Sequence, residues 1–162
     1  MNYRTPYSHE SSNYPVNPLI SPLDVEVVPD AANPDRFGLN VIPGTLAARG
    51  VEEAIRAARA SYVTQGKPLP LDARLAVMTV RQMYANVATA QAAANTQHRR
   101  VQPEAVPINP DETALVLRGL EMVANGMSYP EFDHGVTEEY AAIALDTHVV
   151  IAKQVAEQGK QL

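Results

Sequence analysis

The sequence predicts a mainly α protein: a compact bundle of about four helices preceded by a long, extended, proline-rich N-terminal arm with at most one or two short strands. Three observations predict it. Seven of the 13 prolines fall in residues 1–46, a density that forbids a helix and cannot donate to a sheet ladder. From Leu46 onward the chain becomes alanine-rich, with apolar residues at helical spacing. Stop and start signals at Gly66, Asn109-Pro110 and Asn125-Gly126 divide that second part. The predicted units are an arm over 1–45 and a helical domain over 46–162.

The arm is proline-stiffened yet apolar. Its stretch YPVNPLISPLDVEVVPD sets Val16, Leu19, Ile20, Leu23, Val25 and Val27 between prolines. Asp24-Val25-Glu26-Val27 alternates polar and apolar residues, as a half-buried edge strand does. Tyr3, Tyr7 and Tyr14 add side chains with large contact area and a polar tip, which are enriched at interfaces. Extended at the polyproline rise, 45 residues reach on the order of 140 Å, more than one small helical body uses. These residues are therefore expected to bind a neighbouring subunit. Pro43-Gly44 is the turn that closes the arm.

The first helix is expected over about 51–65, with Val51, Ala54, Ile55, Ala58 and Tyr62 on one face and Arg56 and Arg59 outside it. The second, about 72–97, repeats Ala76, Val80, Met83, Val87, Ala90 and Ala94 at alternating steps of four and three, a packing seam. After Arg99-Arg100 a proline-punctuated linker runs from Pro103 to Pro110. Asn109-Pro110-Asp111-Glu112 then reads as an N-cap, a first-turn proline and an acid at N3. That helix covers about 110–124, with Leu117, Leu120 and Ala124 inward. A loop follows, and Thr137 caps a last helix, about 137–158, buried through Tyr140, Ile143, Ala144, Ile151 and Val155.

Charge is segregated along the chain. The net charge of −5 divides into −3 over 1–46, +5 over 47–100 and −7 over 101–162. Either the fold pairs these stretches internally, or oppositely charged faces meet between copies or other partners. Arg56, Arg59, Arg99 and Arg100 are the expected contacts. Arginine in preference to lysine suits ordered ion pairs with carboxylates. Nucleic-acid contact through the basic 47–100 stretch ranks behind, since the chain is acidic overall and no aromatics interleave with the arginines.

Chemistry is weakly signalled. There is no cysteine, which excludes disulfides, thiolate nucleophiles and cysteine-bound metals. Nucleotide-cradling glycine loops and nucleophile elbows are absent. Glu131, Asp133 and His134 lie together in one loop, and Asp146 and His148 recur on the last helix, but no spacing sets two ligands on one helix face. His148, flanked by apolar residues, reads as a hydrogen-bonded core or interface histidine. No catalytic residue, cofactor or metal is expected. The N-terminus lacks the apolar core of a signal peptide, and no run approaches a membrane span, so cytoplasmic synthesis and residence there or in a particle are expected.

These readings converge on a non-enzymatic structural or assembly protein that docks through its arm into a large multi-subunit particle, with neighbouring subunits of a symmetric assembly, copies of itself among them, as the expected partners and no membrane. A bacteriophage virion is the preferred setting, as capsid-associated cement or head–tail connector, by analogy of architecture alone. The alternatives are an adaptor or regulatory subunit of a cytoplasmic enzyme complex, and a small helical enzyme using Asp133 and His134.

Overall fold

The structure, a computed structural model, describes residues 19–126 and 138–160. Its elements run β1 (Val25–Pro29), β2 (Phe37–Val41), α1 (Leu46–Thr64), α2 (Leu71–Gln97), β3 (Val106–Ile108), α3 (Pro110–Ala124) and α4 (Glu138–Lys160). The protein is mainly α with four helices, as expected. It also carries a three-stranded antiparallel sheet in the order β1-β2-β3, one strand more than expected.

The sheet corrects the reading of the arm. Val25 stands opposite Val41 and Val27 opposite Leu39, while Leu39 and Val41 face Ile108 and Val106 of β3. All six of these side chains are buried, as is Ile20 ahead of them. Ile20, Val25 and Val27 therefore belong to the chain's own core and are not available to a neighbour. The prolines permit this because they sit at the margins. Pro29 ends β1, and Pro107 lies in an outer strand, where a missing N–H leaves no ladder bond unmade. β3 lies in the segment read as linker.

Both sheet edges are closed by side-chain chemistry. On β1, the Val27 N–H donates to Gln154 Oε1 at 2.7 Å, and Gln154 Nε2 donates to the Val25 carbonyl at 2.8 Å. One turn further along α4, Gln158 Nε2 donates to the Val27 carbonyl at 3.0 Å. Two amides spaced i, i+4 thus occupy the groups that another strand would use. On β3, Val106 and Ile108 face Val41 and Leu39, so the intervening Pro107 has no N–H to offer outward.

Helix bounds follow local chemistry. Thr45 Oγ1 accepts from the Ala48 N–H at 3.2 Å and donates to the Ile42 carbonyl at 2.7 Å, so α1 starts at Leu46, a turn before the expected Val51. Asn109 and Glu112 form the expected capping box of α3. Thr137, the expected cap of α4, lies outside the described residues.

The core joins the inward sheet face to Val51 and Ile55 of α1, Leu115, Val116, Leu120 and Val123 of α3, and Ile143 and Ile151 of α4. The buried face of α3 is rotated from the expected one. Val116 and Val123 join Leu120 inside, whereas Leu117 and Ala124 are half-buried. Gly119 sets this rotation, since a Cβ there would stand 1.9 Å from the Ala54 carbonyl oxygen of α1. Gly50 gives α4 a similar approach, with Thr147 Oγ1 2.6 Å from where its Cβ would be. On α4, Val155 is exposed, contrary to expectation.

Candidate interaction surface

α2 differs from the other helices in how little of it is buried. It has 27 residues, about 40 Å at 1.5 Å per residue. Asp72 lies in its first turn, and His98 caps its end in the left-handed conformation at φ 53°. The expected inward seam is present: Ala76, Met83 and Ala90 are buried and Val80, Val87 and Ala94 half-buried. Thr79 Oγ1 also donates to Glu112 of α3 at 2.7 Å.

The opposite face carries a second seam. Leu71, Leu75, Met78, Gln82 and Ala85 follow steps of four and three, and all are exposed. Leu71 is 62%, Leu75 38% and Met78 64% exposed. The same steps continue through Thr89, Ala92 and Thr96, also exposed, and no position in the series is charged. Large apolar side chains thus occupy the first half of the outward stripe and small ones the second. Arg74 and Arg81 flank it, exposed. Sequence reasoning missed this surface, although the signal was present as a second 4-3 repeat in a helix whose first repeat had already been assigned inward.

Beside α2, a cleft of about 690 Å³ is lined by Asp24, Gly44, Thr45, Val87, Arg100 and Pro103, among others. It reaches Thr45, the N-cap of α1.

The expected contact residues divide. Arg56 is half-buried and pairs with Glu52 at 2.6 Å, and the same carboxylate accepts from the Tyr84 hydroxyl. This hydrogen bond, followed by desolvation, raises the Tyr84 phenol above its ordinary value. Arg59 is also half-buried. Both were expected on the exposed side of α1. On that side of α1, Tyr84 of α2 reaches across to Glu52, one turn before Arg56. Arg99 and Arg100 are exposed, Arg99 Nε donating to Gln97 Oε1 at 2.7 Å. Leu19 and Leu23 are exposed, and the Leu19 N–H donates to Asp146 Oδ2 at 2.9 Å. Tyr3, Tyr7, Tyr14 and Val16 lie outside the described residues.

Other arginines are used within the chain. Arg36 pairs with Asp111, Arg118 donates to the Tyr62 hydroxyl at 2.8 Å, and the Arg49 guanidinium lies 5.9 Å from the Tyr140 ring centroid. Arg36–Asp111 joins the two acidic stretches and Arg56–Glu52 lies within the basic one, so neither pair sets the basic stretch against an acidic one.

Glu131, Asp133 and His134 lie outside the described residues. His148 Nε2 stands 3.7 Å from Glu121 Oε1, between α4 and α3. Among the described residues, no three metal-ligating side chains are grouped, and no helix is long and apolar enough to cross a membrane. In comparison with known proteins, the chain matches no family model, no curated protein and no solved structure.

Proposed function

We propose that this chain is a non-enzymatic structural or assembly protein that docks into a large multi-subunit particle. The observation that carries the reading is the outward stripe of α2: an uncharged 4-3 repeat with Leu71 and Met78 nearly two-thirds exposed. A helix with two such seams is suited to packing on both sides, and an apolar stripe rimmed by polar residues marks an interaction site. Docking through the N-terminal segment narrows to Tyr3, Tyr7, Tyr14, Val16, Leu19 and Leu23. The particle proposed is a bacteriophage virion, with the chain as capsid-associated cement or head–tail connector component, on analogy of architecture.

Native mass spectrometry and microscopy of the protein isolated from its source test this. The expected result is many copies in a symmetric particle. A monomer, or a single copy bound to an enzyme, would overturn it.

A further inference from the structure

We infer that the outward face of α2 in one copy seats on the outward face of α4 in a second copy, head to tail. The inference rests on the proposed assembly role and names the partner for its central surface.

Charge selects the partner. Between Gly66 and Pro103 five basic residues stand against one acid, Asp72. Two α2 helices facing each other would set Arg74 and Arg81 against their own copies. On α4, Glu138, Glu139 and Glu157 are exposed, with Lys153 the exposed base among the described side chains. Glu121 of α3, 66% exposed, lies alongside. Facing charges of opposite sign steer association and set register.

Shape agrees with charge. Along α4, Leu145, Val149, Ala152 and Ala156 recur at steps of four, three and four, turned away from the buried Ile143 and Ile151. Leu145 is half-buried and the other three are exposed. The bulky Leu71, Leu75 and Met78 of α2 thus meet a seam of mostly small residues, and matching 4-3 rows pack ridges into grooves.

Area sets the strength. Helices about 35–40 Å long and about 10 Å wide cover roughly 700 Å² in total, below the usual range for a stable pair. One contact is therefore weak. Because the two faces differ, each copy gives one and receives another, and such heterologous contacts build rings or filaments. Repetition supplies what one contact lacks.

Sedimentation velocity of the full chain, across concentration and salt, tests this with two charge-reversed variants: Arg74→Glu with Arg81→Glu on α2, and Glu138→Lys, in line with the seam, with Glu157→Lys on α4. The expected result is salt-sensitive self-association of the wild type, about tenfold weaker in either variant alone, with circular dichroism unchanged. Mixing the two variants should restore association, because each altered face then meets its complement. Association sensitive to the α2 changes but indifferent to the α4 changes overturns this inference and leaves the assembly role standing. A wild type monomeric throughout also overturns it, and the assembly role is then decided by the copy number of the native particle. Binding of a DNA or RNA oligonucleotide that is lost from the α2 variant would give the helix a different partner and overturn it as well.

Discussion

At Gly119 the distance between two helices is decided by one hydrogen atom. A methyl group there would stand 1.9 Å from the Ala54 carbonyl oxygen, and neither backbone can yield without parting α1 from α3. Gly119→Ala is therefore expected to destabilise the fold by about 3 kcal/mol or more, read from urea unfolding. Gly159→Ala is the control, because a Cβ at that exposed position meets nothing within 4 Å. It is expected to be neutral or to stabilise by about 0.5 kcal/mol through helix propensity. Tyr84 offers a second residue-scale test. Its hydrogen bond to Glu52 raises the phenol above its ordinary value, so the neutral form is the one the fold favours. The contribution is complete below about pH 10 and is lost as pH rises through the folded value. Ultraviolet titration should show one tyrosine ionising late, absent from Tyr84→Phe and returned toward ordinary in Glu52→Gln.

Among the elements, the edge of β1 depends on Gln154 and Gln158. Replacing both with leucine removes three hydrogen bonds to the strand and is expected to destabilise the protein by about 2–4 kcal/mol. It should also increase aggregation, measured by light scattering, by uncovering backbone groups that template strand addition. Helices were legible in the sequence because their signals are local: the Asn109–Glu112 box, the 4-3 seam of α2 and Asn125-Gly126 each act within a turn or two. Strands were less legible because their pairing is remote. Pro29 and Pro107 argue against strands until the sheet shows them at an end and on an edge, and β3 has only three residues, too few to establish a period. The outward seam of α2 was readable in principle, but only the fold separates its two repeats into one buried and one exposed. Arg56 is held by Glu52 one turn before it, an i, i+4 pair readable in the sequence, whereas the Tyr84 hydroxyl on the same carboxylate comes from 32 residues away, and no local pattern reports it.

For the whole molecule, the sheet makes residues 19–43 part of the body. A chain lacking residues 1–43 loses Ile20, β1 and β2, and with them five of the fully or nearly fully buried side chains of the core: Ile20, Val25, Val27, Leu39 and Val41. Each truncated aliphatic side chain alone typically costs about 2–5 kcal/mol, against a total stability of about 5–15 kcal/mol. The truncated protein is expected to show no cooperative thermal transition by circular dichroism. A cooperative melt would mean that the helices form a core without the sheet.

The amide ties from α4 to β1 span 127 to 131 residues of sequence, which places their formation well after β1 itself has left the ribosome. β1 and β2 leave the ribosome early and can pair as a hairpin, but the outer side of β1 waits until α4 has been synthesised. At about 5–20 residues per second that interval is roughly 6–25 s. Throughout it an unprotected strand is open to the wrong partner, including the same strand on a neighbouring polysome. The residues that complete the sheet are made well over a hundred residues after the strand they cover, so crowding during synthesis, and not only stability afterwards, bears on how the sheet forms.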